Sequence, residues 1–154
     1  MGFTGGGGND NRFRMVVKEV DTVRDDDDTT ADDPELTLPV KANTRYIWIC
    51  MTCFVSDTLP DFKNKMNVPS GTAGRPTFGN WSSANFGSKP TMASTYFSTV
   101  TNTLEKATMN TGSITTGSTA GDIAMAWAQT NKDPLTDTTV FANSYLIVIE
   151  VGPA

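Results

Sequence analysis

Residues 44–55 read TRYIWICMTCFV, a run of aromatic, β-branched and sulfur-bearing side chains entered from the polar turn Lys41, Ala42, Asn43. In an extended chain Tyr46, Trp48, Cys50 and Phe54 fall on one side, and Ile47, Ile49, Met51, Cys53 and Val55 on the other. From Tyr46 onward both sides are apolar apart from Thr52, and the length suits a strand, so the stretch predicts a central β-strand covered on both faces. The rest of the chain has to wrap it.

Composition agrees. At 154 residues and 38% apolar content, with eight Phe, three Trp and three Tyr, the chain suits one domain with a sizeable core. Thr is used heavily, alongside 13 Gly and 8 Pro. Thr loses side-chain freedom in a helix and packs well on a pleated sheet, so the mixture favours short strands joined by turns.

The net charge of −5 is a local property. Residues 21–35 hold eight of the 17 acids (Asp21, Asp25, Asp26, Asp27, Asp28, Asp32, Asp33, Glu35) and one of the 12 bases, Arg24. The remainder carries nine acids against eleven bases and forms no basic stripe, which argues against nucleic-acid binding. The chain has no His, the commonest general base and metal ligand.

Cys50 and Cys53 are the only cysteines and form a C-x-x-C spacing. A zinc site needs a second pair or histidines, and a redox pair belongs at a helix N-terminus rather than inside a strand. Three residues apart in a strand, the thiols face opposite ways and cannot bond each other. They read as two reduced core cysteines in a protein assembled in a reducing cytoplasm.

No stretch approaches the ~20 apolar residues of a membrane span. The N-terminal MGFTGGGGNDNRFR lacks the apolar segment of a signal peptide and fails the myristoylation pattern at Gly6. Its glycines are not followed by Gly-Lys-Ser/Thr, which excludes a phosphate loop. Residues 1–11 read as a flexible arm, the alternative being an arm ordered across a neighbouring subunit, and residues 12–154 as a single domain.

Along that domain, residues 12–23 alternate as a half-buried or edge strand with Phe13, Met15 and Val17 on one side. Residues 24–34 form an acidic loop; Asp25 and Asp27 match the start of a calcium loop, but Thr30 stands where its turn glycine belongs, so a solvated loop is the default. Residues 35–40 form a short strand or edge limited by Pro39. Residues 62–68 place Phe62, Asn64, Met66 and Val68 against Lys63, Lys65 and Asn67, a one-sided strand with lysines outside. Turn signals at 69–74 precede a short strand at 75–81 and a polar loop at 82–90 carrying Phe86. Short strands are expected at 95–100 and 104–109, then a loop at 110–121. In residues 122–130, Ile123, Met125 and Trp127 make a core-like face, and Ala124, Ala126 and Ala128 a face small enough for another surface to approach. A last strand covers 138–151.

Eight to ten strands and no helix predict an all-β antiparallel sandwich, jelly-roll-like in type. The surplus of strands with two apolar faces, 44–55 and 145–151, points to packing between subunits in a closed oligomer.

Residues 35–71 (ELTLPVKANTRYIWICMTCFVSDTLPDFKNKMNVPSG), 112–130 (GSITTGSTAGDIAMAWAQT) and 138–151 (TTVFANSYLIVIEV) carry a resemblance. In order and spacing, the chain is similar to small β-sandwich structural proteins and fibre modules of tailed bacteriophages. These show L-x-L-P-V, then A-N-T-x-Y opening an apolar strand, then a P-D-F/L-K strand ending in P-S/A-G. A T-T-G-S-T-A-G loop, an A-x-x-W-A-Q strand and a closing G/N-S-Y-L strand follow. The match covers about residues 20–151. It departs from the pattern in the Gly-rich arm, the Asp25–Asp28 run and the cysteines of the central strand. The resemblance implies a virion component, commonly a homotrimer.

Two function classes follow. The first is a capsid decoration or cement protein on the virion surface, bound to the major capsid protein through residues 2–14 and one end of loops. The second is a tail or head fibre module recognising a host glycan, with Trp81, Phe86, Asn80 and Asn85 in GNWSSANF as an aromatic and amide sugar site. For Trp81 a core role is the plainer reading. Catalysis is disfavoured: there is no His and no G-x-S-x-G, and the carboxylates crowd into a run of like charge. The expectation is no catalytic residue, no metal, no cofactor, no nucleic acid and no membrane.

Overall fold

The computed structural model describes residues 12–57, 61–80, 85–88, 96–98 and 104–154. Within them the chain forms strands β1 (Phe13–Val17), β2 (Thr22–Arg24), β3 (Ala31–Val40), β4 (Thr44–Ser56), β5 (Phe62–Asn67) and β6 (Ala73–Asn80). There follow β7 (Asn85–Ser88), β8 (Tyr96–Ser98), β9 (Lys106–Thr115), β10 (Gly121–Gln129), β11 (Thr138–Val140) and β12 (Tyr145–Pro153).

The large sheet runs β1-β12-β4-β9-β6-β7, and β11 and β2 extend the columns of β12 and β1 beyond Tyr145 and Val17. The small sheet runs β3-β10-β5-β8, and every pairing is antiparallel. Leaving aside β1–β2, β6–β7 and β11–β12, each of which stays within the large sheet, the chain crosses from one sheet to the other at each connection, and the closing strand lies between the first strand and β4. This is a jelly-roll-like sandwich, as the sequence pattern predicts.

β4 is central, as residues 44–55 require: β12 and β11 flank it on one side and β9 on the other. Its even positions face the small sheet, with Tyr46, Trp48, Cys50 and Phe54 all buried. Leu36 and Leu38 of β3, Ile123, Met125 and Trp127 of β10, and Phe62 and Met66 of β5 meet them. Phe54 stacks on Phe62 with ring centroids 4.1 Å apart. Trp48 lies over β9 at Gly112, where a Cβ would sit 3.1 Å from the indole and 2.7 Å from the Arg75 carbonyl oxygen.

Four expectations are corrected. Residues 12–23 are two strands, because the chain at Lys18 turns its side chain inward. There the backbone bonds the 143–144 turn, with Lys18 N–H donating to Ser144 O and Asn143 N–H to Lys18 O, both at 2.8 Å. The same turn, with Asn143 at φ 67°, splits the final strand into β11 and β12. Residues 110–115, expected in a loop, belong to β9, where their backbone pairs with β4 and β6 on either side. β3 also starts earlier than expected, taking Asp32 and Asp33 out of the acidic loop.

Candidate functional site: the open face of the large sheet

The odd positions of β4 point away from the small sheet. Cross-strand register carries that face over neighbouring strands in rows. Phe13, Ile149, Ile47 and Ser113 form one row; Met15, Ile147, Ile49 and Thr111 the next; Val17, Tyr145, Met51 and Met109 a third. Cys53 opposes Ala107, and Val55, Thr139 and Val23 form the row beyond. Phe13 is 50% exposed, Ile47 44% and Val23 55%. Ile49, Met51, Ile147 and Ile149 are half-buried. Four strands at ~4.8 Å spacing and rows ~6.8 Å apart give an uncharged patch of roughly 500 Å². That is as large as the biggest apolar patch of a typical monomer, a size that marks interaction sites.

Charge on this face sits at its two ends and has opposite sign. At one end Arg45 and Arg75 occupy outward strand positions and are exposed. A shallow depression of about 430 Å³, lined by Ala73, Gly74, Arg75, Ser113, Ile114 and Thr115, opens there. At the other end the same alternation, continued one residue past each strand, places Glu105, Asp57 and Asp137. Thr138 pairs with Ser56, so Asp57 and Asp137 extend adjacent strands. Glu105 is near enough to Cys53 to help raise its pKa.

The outer face of the small sheet differs. Lys63, Lys65 and Asn67 of β5 flank β10, with Asp32 and Thr37 of β3 on its other side. The alanine face of β10, expected to admit another surface, is closed: Ala124, Ala126 and Ala128 are all buried. Asn67 Nδ2 donates to Asp32 Oδ1 at 2.6 Å from across the strand. Small side chains there let this chain's own polar groups lie over β10.

Between the sheets lies a buried ion cluster that sequence alternation did not single out. Lys18, its side chain 0% exposed, places Nζ 3.0 Å from Asp33 Oδ2 and 3.1 Å from Glu35 Oε2. It also donates to Thr22 Oγ1 at 2.6 Å. Asp33 accepts further bonds from the Glu35 and Leu36 N–H groups and from Trp127 Nε1. Hydrogen bonding from the Glu19 N–H, then the Lys18 ammonium, holds the Glu35 carboxyl below its ordinary pKa. Arg24 stacks 4.2 Å from the Trp127 ring centroid. Both carboxylate oxygens of Asp33 are engaged internally, which is how a buried charge is tolerated and makes the cluster a tie between sheets. In the sequence Lys18 is one of several charges in residues 12–23 that read as guarding an edge strand, and nothing local sets it apart.

Cys50 and Cys53 are free and face opposite sides of β4, as the strand reading requires. Burial pushes the Cys50 thiol up to about 12, and Cys53, on the open face, is raised mainly by desolvation. The expectation that both are core cysteines holds for Cys50 only. Among the described residues no group of three or more His, Cys, Asp or Glu side chains is placed to hold a metal ion. Of the acidic loop, Asp27 Oδ1 caps the Thr29 N–H at 2.8 Å and Asp28 lies 3.8 Å from Lys132 Nζ. Asn80 pairs with Asn85, and Phe86 with Gly79, across the β6–β7 hairpin. Trp81 and residues 1–11 lie outside the described residues. No helix among the described residues is long and apolar enough to cross a membrane.

Compared with known proteins, the sequence matches no family model and no curated protein.

Proposed function

We propose that this chain is a structural component of a tailed-bacteriophage virion. In this reading it is a capsid decoration (cement) protein that assembles as a homotrimer and binds the major capsid protein to stabilise the shell. The observation that supports it best is the uncharged, apolar outer face of the large sheet. A monomer leaves that face in water, and assembly buries it. The sequence motifs in residues 35–71, 112–130 and 138–151 supply the virion context.

Mechanically, a trimer over a junction of capsomers engages several neighbours at once. Weak contacts then act together, and attachment strengthens without any single tight site. Residues 2–14 and one end of loops make the shell contact, and the acidic loop faces solvent or a basic patch. The reading assigns no catalytic residue, metal or cofactor. Deleting residues 2–11 leaves β1 whole and should abolish binding to particles; full occupancy by the shortened chain would overturn the shell contact. A particle reconstruction showing the chain on the capsid surface tests location directly.

One observation favours the fibre-module reading. The β6–β7 pairing sets Asn80 and Asn85, two residues of the GNWSSANF stretch, in register with each other. Glycan binding that is lost in an Asn85→Ala variant would select it.

A further inference from the structure

The open face is apolar in its middle and oppositely charged at its ends, and that arrangement says what covers it. We infer that it is covered by a second copy of this chain, docked so that the Arg45 and Arg75 end of one copy meets the Glu105, Asp57 and Asp137 end of the next. The inference deepens the assembly reading above and rests on it.

Three observations carry it. The outward positions of β1, β12, β4 and β9 between the two ends hold no charged residue, so a partner of uniform sign gains nothing over most of the area. The two ends are matched in sign to each other, so the surface is complementary to itself once the strand direction is reversed or passed head to tail around a ring. The basic end also carries a shallow depression, lined by Gly74, Arg75, Ser113 and Thr115 among others, beside the Arg75 position that an incoming carboxylate would approach. At roughly 500 Å² per copy the apolar patch falls short of the ~800 Å² per partner of a standard interface. The charged ends supply the remaining contact and fix the register, which bare apolar surface cannot do.

The opposite face of the sandwich could not serve in the same way. Its exposed groups are tied across β10, as Asn67 and Asp32 are, and it presents lysines along its length.

The test is the solution mass of the purified full chain by light scattering and native mass spectrometry over a concentration series. The wild type should show an assembly of this chain. Arg45→Glu with Arg75→Glu should weaken it at least tenfold in dissociation constant, as should Glu105→Arg with Asp137→Arg. All four positions are exposed, so far-ultraviolet circular dichroism should be unchanged. Combining all four substitutions in one chain restores opposite ends and should restore assembly. A wild type that stays a single chain at every concentration overturns the inference, as does assembly insensitive to reversal or unrestored by the combined variant. Binding to purified capsids separates the two readings. A chain that assembles as inferred yet ignores capsids defeats only the virion reading. A single chain that still decorates capsids defeats the inferred interface and the preassembled trimer, and leaves the capsid-binding reading standing.

Discussion

The two outer faces of this sandwich are built from the same kind of strand and end up with opposite surfaces. On the small sheet, β5 alternates Phe62, Asn64 and Met66 inward with Lys63, Lys65 and Asn67 outward. On the large sheet, β4 alternates Tyr46, Trp48 and Cys50 inward with Ile47, Ile49 and Met51 outward. Secondary structure asks only for period two, and both strands satisfy it. The difference lies in what the outward half was chosen to meet. Lysines and an amide meet water; isoleucines and a methionine are left for another surface. Fold and interaction are thus written in alternate letters of the same stretch.

The largest effect expected is on what keeps the two faces apart. Lys18 and Asp33 tie β1 of one sheet to β3 of the other, with both side chains fully buried. Lys18→Ala leaves the Asp33 carboxylate buried without its cation and should destabilise the fold by about 3–5 kcal/mol. Urea denaturation measures it, and a loss below about 1 kcal/mol would show that the tie carries little.

Next comes the middle of the open face. Ile49→Lys places an ammonium at the centre of the apolar rows and should raise the dissociation constant of the assembly at least ~30-fold, about 2 kcal/mol, leaving the monomer folded. Thr37→Lys is the matched change on the other face and should leave the mass untouched. If the two substitutions act alike, the contrast between the faces has no functional meaning.

The sequence made the architecture legible because period-two alternation is strong in residues 44–55, 62–68 and 122–130, and turn residues punctuate it. Asn43 (φ 48°) and Gly71 (φ +75°) indeed sit where the chain reverses. The reading failed where polar residues serve a strand. Asn110 in β9 is buried with its Nδ2 2.7 Å from Asn64 Oδ1, a pair across the core that reads locally as loop. It failed again where a long-range partner overrides alternation: Lys18 is buried only because Asp33 and Glu35 arrive from β3. The open face was half legible. Its apolar run announced itself, but the opposed charges at its ends need the register of β4, β6, β9 and β11, which no single stretch encodes.

A smaller effect should appear at the two thiols, which sample the two sides of one strand. Cys50, buried and with its pKa pushed up to about 12, should react with a thiol reagent only through unfolding. Cys53 lies on the open face, half-buried. Mass-resolved alkylation at pH 8 should label it slowly in the folded chain and several-fold faster in Ile49→Lys than in wild type, because assembly covers it. Equal rates in the two proteins would place Cys53 outside any interface.

The smallest effect is on pH. Glu35 accepts from the Glu19 N–H at 2.9 Å and from Lys18, so its carboxylate is favoured in the folded state and its pKa lies below the ordinary 4.5. A depressed folded pKa means that the unfolded chain binds the proton first. The stabilisation is complete above the unfolded value and is lost as the pH falls from there through the folded one. The Glu35 side chain is 26% exposed, and water screens the interaction there, so the change should be slight beside that of Lys18→Ala. Glu35→Gln should therefore lower the Tm a little at pH 7, and the difference from wild type should shrink as the pH falls below the ordinary carboxyl value of 4.5. A gap that persists unchanged into acid would mean that the Glu35 side chain acts by packing between β1 and β3 and not by its charge. The tie would then rest on the Lys18–Asp33 pair alone.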